Sequence, residues 1–591
     1  MADAVTVEAD GRSVMEWEMT RRLLDASGRD DFAKKTFSFN DKLASVDILE
    51  AETIKADGRR IKIQPDQIRL QEDPAAVGSP VFSTSKLKTI IFPDIEVGDN
   101  IRYRVRKTIR VPDFPGQFSY EDNFSPVERV LSFKLVVKAP ASLNLRTDVK
   151  GFEEVRGIGP SGEQIWNWTF TQPETRPIDD GKVDMFLAEP HVAITSFQNW
   201  KAIAAAYDER AKDKVVVTPE IQALADELTK GVSDRHEQTR RLYDWVRGNI
   251  RYVALYLANG GYVPHAAADI LKNRYGDCKD HVVLLEALLR AKGIESNGAL
   301  ISSAADFDLG PVASPSVFNH VITYVPEFDL YLDATQQYLP FGQLGYWVSG
   351  KPVLHVGVNG KVERTPSLTA ESNKRKTSMQ LEFALDGSMH GQIEEISSGA
   401  IALYRRNVVA GVDPLQRKDA IKILFQQAGL NGKGSYEADD PANNNADYRT
   451  KIDFEADQTG LDLTRPEAIS IELPFQLAYA ISDLTSFVNN RPEPLFSDAC
   501  EALDLGDDYS ITLPKGVGVQ ALPKPRSILE GPIRYESNYA VEGQTIRVHR
   551  QYTMTLDRGY CTPQEMADLK KTATVVRRDV QSKIVLTPIS N

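Results

Sequence analysis

Cysteine is scarce in this chain of 591 residues, with three in all: Cys278, Cys500 and Cys561. Their spacing matches no zinc motif, so no metal centre is expected. An odd count leaves one thiol free and admits one pair. Cys500 and Cys561 both fall in the C-terminal region. They are either bonded, which requires an oxidising compartment such as the periplasm, or two buried reduced cysteines. Long hydrophobic runs are also missing. The longest candidate, around Val282 to Leu289, is broken by Glu286, so no transmembrane segment is expected. There is no excess of positive charge either. A formal charge of -13 argues against a nucleic-acid partner and against a polybasic membrane site. The opening residues Met1-Ala-Asp-Ala-Val have no basic region and no apolar core, so no signal peptide is expected here. Ala-Asp-Ala directly before a strand reads as the start of a mature exported protein, with Met1 an added start codon.

What is present is ordinary globular material. Apolar residues make up 42% and charged residues 26%, which excludes disorder as the dominant state. The length exceeds a single core and suggests about three or four domains.

From Ala4 to about Gln172 strand follows strand. Val14 to Met19 and Ile101 to Arg106 alternate, Ile54 to Ile63 carries an Asp-Gly hairpin turn, and further strands are expected at Val130 to Lys138 and Gln164 to Thr171. The expectation is an antiparallel sandwich over residues 1–172. Arg102, Arg104 and Arg106 form either a basic binding stripe or a solvated strand face, and the strand face is the simpler reading. Trp166 and Trp168, two apart, suggest one packed face rather than a carbohydrate platform. Residues 173–198 are rich in Pro, Asp and Thr with weak periodicity and read as a linker.

Helices are then expected at Trp200 to Lys212, at Pro219 to Lys230 behind the N-cap Thr218, and at Asp234 to Arg247 behind Ser233. A short one follows from Ala266 to Lys272. Residues 199–364 form the expected core, 365–376 a second linker, and 377–591 a β-rich domain with a helical insertion at Ala400 to Val409 and Pro414 to Gly429. A last helix is expected from Ala567 to Val580.

The chemistry concentrates in Arg274-Tyr-Gly-Asp-Cys-Lys-Asp280. Val282, Leu285, Leu288 and Leu289 fall three and four apart, one buried helix face. Asp277 is the expected N-cap, Asp280 completes a capping box, and Gly293 ends the helix in the left-handed region. Cys278 therefore lies in the first turn, where backbone N–H groups and the helix dipole favour a nucleophilic thiolate. A nucleophile needs a base and an orienting carboxylate. Phe318 to Val325 alternates as a strand, Pro326 to Asp329 reads as a turn, and Leu330 to Asp333 resumes. In that register Val325 faces Leu330, which puts His320 diagonal to Asp333 on one sheet face. The expected triad is Cys278 as nucleophile, His320 as general base and acid, and Asp333 as orienter. Tyr262 and His265 are candidate cleft walls, with His265 more simply a helix-start residue, and the backbone N–H of Cys278 is the candidate oxyanion donor.

These residues carry a resemblance. Gly261-Tyr-Val-Pro264, Asp269-Ile-Leu, the Gly-Asp-Cys-Lys-Asp core, Leu284 to Gly293, Asn319-His320 and Leu332-Asp333 together resemble bacterial transglutaminase-like proteins. His281 departs from the pattern, where Lys or another polar residue is expected. The resemblance implies a papain-like thiol triad at Cys278, His320 and Asp333. It also implies an α+β multidomain protein, with the papain-like transglutaminase core flanked by antiparallel β-sandwich domains, as in exported bacterial members. No calcium-binding loop is present, and no cofactor is expected. Two functions follow. One is a thiol amidase, protease or acyltransferase acting on peptide or amide substrates of the cell envelope. The other is a retired enzyme whose β-rich domains bind a peptide, protein or glycan.

Overall fold

A computed structural model describes residues 1–73, 85–176, 183–253, 261–357, 360–413, 422, 431–457, 461–464, 467–472 and 497–587. The helix expected over Pro414 to Gly429 lies, apart from Lys422, outside these residues, as do Asn259 and Gly260 of the loop ahead of Tyr262. The chain divides into two compact units. One holds residues up to 178 together with 184–336 and 352–364, and the other holds 179–183, 337–351 and 365–591.

In the first unit, eight strands form one sheet in the order Glu153–Ile158, Gln164–Gln172, Val130–Ala139, Ala2–Val7, Ser13–Arg22, Asn100–Ile109, Ala44–Ile54 and Arg60–Lys62. Every neighbouring pair is antiparallel except Ala2–Val7 with Val130–Ala139. Two three-stranded sheets cover it. Apolar side chains at alternate positions meet between the layers, Val5, Leu135, Trp166 and Trp168 in one cluster and Val46, Tyr103 and Val105 in another. Trp166 and Trp168 are thus core residues. On the strand Asn100–Ile109, Arg102 pairs with Glu18 and Glu52, Arg104 with Glu50, and Arg106 with Glu16, so the arginines form a cross-strand charge ladder.

The stretch expected as a linker contains a strand, His191–Thr195, at the centre of the sheet formed with Arg146–Lys150 and Ser119–Asn123. All five of its residues are buried. A strand covered on both faces has no polar alternation to reveal it.

The remainder of this unit is helical and then β. The helices Trp200–Ala211, Pro219–Leu228 and Arg235–Asn249 begin at Asn199, Thr218 and Asp234, whose side chains accept backbone N–H groups. The third cap is Asp234 rather than Ser233. A carboxylate there accepts from both His236 and Glu237, satisfying two of the first-turn donors. An antiparallel five-stranded sheet, Leu330–Leu332, His320–Val325, Asn297–Ile301, Pro352–His355 and Val362–Arg364, packs against the helix Cys278–Ala291.

The second unit is built on an eight-stranded sheet. It runs from Asn431–Ala438 and Asp447–Asp457 through Met389–Ser398, Lys374–Phe383, Leu503–Thr512, Thr545–Met554 and Ile533–Glu542 to Arg526–Glu530. The hairpin expected at Asp386-Gly387 joins Lys374–Phe383 to Met389–Ser398. The loop from Asp439 to Asn445 is pinned from below by buried Arg406, which donates to the carbonyls of Pro441, Asn443 and Asn445. Cys500 and Cys561 form a disulfide, with Cα atoms 5.4 Å apart. The helix Pro563–Val580 covers one sheet face beside that disulfide.

Beneath that helix a polar group is fully enclosed. Asp579 accepts from the hydroxyls of Tyr535 at 2.6 Å and Tyr539 at 2.9 Å, and the Arg550 guanidinium lies 3.4 Å away. Removing one partner of a buried ion pair strands the other charge, at a cost of about 3–5 kcal/mol. Arg550→Met is therefore expected to lower the stability of the chain by that amount in urea unfolding, and a change below about 1 kcal/mol would show the charge to be dispensable.

Candidate active site

The helix that carries Cys278 begins as its sequence requires. Asp277 caps Cys278–Ala291 by accepting the Asp280 N–H, while the Asp280 carboxylate accepts the Asp277 N–H at 3.2 Å. Gly293 follows with φ of +68°, which a residue without Cβ adopts freely. Cys278 is the first helical residue and is 3% exposed. It packs with Tyr262, Tyr207, Phe318 and Val282 in the core of this unit, together with Phe114 from the N-terminal β region.

His320 opens its strand at 6% exposure, and Asp333 follows Leu330–Leu332 at 0%. Val325 pairs with Leu330 and Thr323 with Leu332, the register expected from the turn length. The result is a contact of 3.2 Å between His320 Nε2 and Asp333 Oδ2. Cys278 lies near enough to the His320 side chain to favour its charged form. The other Asp333 oxygen accepts from the Thr335 backbone N–H at 3.1 Å and from its hydroxyl at 2.6 Å. Tyr243 donates to the Asp333 carbonyl at 3.3 Å. Thr335 escapes a search for Cys, His and Asp. Its signal was the Asp-Ala-Thr spacing, which suits a carboxylate accepting from the backbone two residues on.

Burial alone would lower the His320 pKa. The charge and hydrogen bond of Asp333, then the contact with Cys278, outweigh it and raise the value to about 10. For Asp333 burial opposes ionisation, but His320 and Thr335 together hold the carboxyl below its ordinary range. The arrangement therefore keeps a cationic imidazole between a sulfur and a carboxylate at neutral pH.

Around this row, more charge is enclosed than the sequence pattern suggested. Lys279 is 1% exposed and pairs with Asp277. Burial works against its ammonium, and Asp277, Asp280 and Cys278 more than compensate. His265 donates its backbone N–H to Asp280 at 2.9 Å, and its Nδ1 lies 3.1 Å from both Asp280 oxygens, so its ring anchors the start of the helix Cys278–Ala291. The ring nitrogens of His281 face the carbonyls of Asp277 at 2.8 Å and Ile250 at 3.2 Å. Tyr262 is buried beside Cys278, and its hydroxyl donates to the Pro315 carbonyl at 3.3 Å.

Comparison with family models gives this geometry its class. Residues 222–299, which include Cys278 and end before His320, match the transglutaminase-like superfamily. Residues 9–177 match a domain of unknown function with a solved structure, DUF3857, and residues 473–586 match another, DUF3858. The chain carries a transglutaminase-like domain flanked by these two, an α+β multidomain architecture. The structure of a protein from Parabacteroides distasonis, described as a putative protease, aligns with 99% of this chain and 97% of its own at 16% identity and a TM-score of 0.73, a likeness of fold. Another, described as a putative cysteine protease from Cytophaga hutchinsonii, is 13% identical over 55% of this chain and 76% of its own, with a TM-score of 0.16, too low to compare folds. No curated protein matches the chain.

Two titrations test this electrostatic picture. His320 is expected to titrate near pH 10 in histidine-labelled NMR spectra and to fall by about 1–3 units in Asp333→Asn. A wild-type value near 6.5 would remove the ion pair. Its contribution to stability is fully present below pH 6.5 and is lost as pH rises through about 10. Glu286, two turns behind Cys278, is an acid of the opposite kind. Burial pushes its pKa to about 8, with Arg290 pulling down and Asp208 adding to the rise. An acid raised by folding favours the native state below pH 4.5 and loses that contribution towards pH 8. Glu286→Gln should therefore stabilise the protein by about 2–4 kcal/mol at pH 8 and hardly at all near pH 4.5. Parallel stability profiles for the two proteins would contradict this.

Proposed function

We propose that this protein is a cysteine-dependent acyl-transfer enzyme that acts on amide or peptide bonds. The observation that carries the reading is His320 hydrogen-bonded to Asp333, itself held by Thr335, with Cys278 beside the imidazole. With His320 already protonated beside it, the Cys278 sulfur adds as a thiolate to the substrate carbonyl carbon. Collapse of the tetrahedral adduct breaks the C–N bond while His320 donates its proton to the departing amine, leaving a thioester on Cys278. Water completes hydrolysis or a second amine completes transamidation, with His320 taking the proton of the incoming nucleophile. Asp333 holds the imidazole and stabilises its cation. The backbone N–H of Cys278 is the oxyanion donor in this scheme, and Tyr262 a wall of the cleft. No cofactor enters any step.

The substrate in this reading is a peptide or another amide, met outside the reducing cytoplasm. The Cys500–Cys561 disulfide supports a periplasmic or secreted location. The catalytic part in this reading spans residues 199–364, preceded in sequence by a β-rich region that runs through the strand His191–Thr195 and followed by another. No described helix is long and apolar enough to cross a membrane.

A second reading, a retired enzyme acting as a binding scaffold, is favoured by the 3% exposure of Cys278. One experiment separates the two. Iodoacetamide labelling of the native protein from pH 6 to 9, mapped by peptide mass spectrometry, is run alongside turnover of a panel of fluorogenic peptide amides. Acyl transfer predicts rapid labelling of Cys278, slowed about 100-fold or more in His320→Ala, and turnover lost in Cys278→Ser. Labelling only after unfolding, unaffected by His320→Ala and accompanied by no turnover, would leave the scaffold.

A further inference from the structure

We propose that a cavity beside the triad is a peptide subsite, which takes an extended chain bearing a cationic residue by strand addition to Ser119–Asn123. The inference rests on the acyl-transfer reading and names the substrate class. The cavity measures about 500 Å³, within the range of small-ligand pockets. It lies within the first unit, where the N-terminal β region and the transglutaminase-like region both line it.

Its position ties it to the nucleophile. Phe114, Phe197 and Tyr262 line the cavity and also belong to the apolar cluster that contains Cys278. The rings of Phe114 and Tyr262 pack against each other with their centroids 4.7 Å apart. Pro315 and Ser316, on the turn just ahead of His320, close another side. The loop that carries Phe114 is held in place by Arg210, which donates to the carbonyls of Pro112 and Asp113.

Its walls specify an extended main chain. The strand Ser119–Asn123 stands at the end of its three-stranded sheet, paired among the described residues with His191–Thr195 alone. Ser119, Tyr120 and Glu121 line the cavity in succession. Successive side chains of a strand point to opposite faces, so a cavity that touches all three runs along the strand's edge. Main-chain N–H and C=O groups are presented there, and an added strand satisfies them. A peptide seated on this edge shares the cavity with Tyr262, which belongs to the apolar cluster that contains Cys278.

Its charge specifies the residue. Asp113 and Glu121 contribute carboxylates and Lys107 an ammonium, and Arg210 stands beside Asp113. Burial raises Asp113 to a pKa of about 6, which leaves it ionised at neutral pH. A lysine or arginine side chain complements the pair of acids, while a glutamate adds to them.

The test uses the full-length Cys278→Ala protein, in which no acyl chemistry competes with binding. Three acetylated, amidated hexapeptides with a fluorescent lysine-free tag are titrated by anisotropy. One has a central Arg among alanines, one has Glu in its place, and the third is the Arg peptide with alternate backbone nitrogens methylated. The Arg peptide is expected to bind at least about 10-fold more tightly than either of the others. Glu121→Lys should reverse the order of the Arg and Glu peptides. A benzophenone placed next to the Arg should crosslink within residues 107–123. Equal binding of all three peptides, no binding of any, an unchanged order in Glu121→Lys, or crosslinking confined to another region would each overturn the subsite. Because the assay involves no turnover, failure of the acyl-transfer reading would show in the amide panel and leave these titrations unaffected.

Discussion

Charge held out of water at one helix start is the constraint on which the site depends. Asp277, Lys279, Asp280, His320 and Asp333 are all buried. An isolated ion in such a place is expensive, so each must be matched by a partner. Asp277 caps the helix and pairs with Lys279, Asp280 accepts from Asp277 and His265, and Asp333 is shared between His320 and Thr335. The groups that hold the helix start and those that orient the imidazole therefore meet at Cys278. The same matching that makes the fold tolerable sets the protonation state of His320.

The first unit also shows why the β region is more than an attachment. Phe114 reaches the cluster around Cys278, and Arg210 on the helix Trp200–Ala211 grips the backbone of the same loop. An apolar contact and hydrogen bonds to two carbonyls fix the position of a wall that the transglutaminase-like region does not itself supply.

Much of this was legible in the chain, for identifiable reasons. The helix start at Asp277, its capping box and its end at Gly293 are local rules written in adjacent residues, and they hold. The meeting of His320 with Asp333 followed from turn length and strand period, which leave little freedom. What escaped were contacts without a local signature. His191–Thr195 is buried on both faces and so lacks alternation, and the grip of His265 on Asp280 joins residues brought together only by packing. Burial of Lys279 contradicts the usual placement of lysine and becomes intelligible only beside Asp277 and Asp280. In the second unit, Arg406 and Arg550 are likewise core residues that composition would assign to the surface.

The parallel pairs in the two large sheets bear on how the chain is made. Ala2–Val7 lies beside Val130–Ala139, with Ala2 opposite Lys134, and Lys374–Phe383 lies beside Leu503–Thr512, with Lys374 opposite Asp504. Each sheet is thus completed by a strand that leaves the ribosome long before its neighbour. Until that neighbour emerges, the early strand offers an open edge to other chains, and closing the sheet requires bringing distant segments together. Completion of each large sheet consequently waits for a segment made well after its parallel partner.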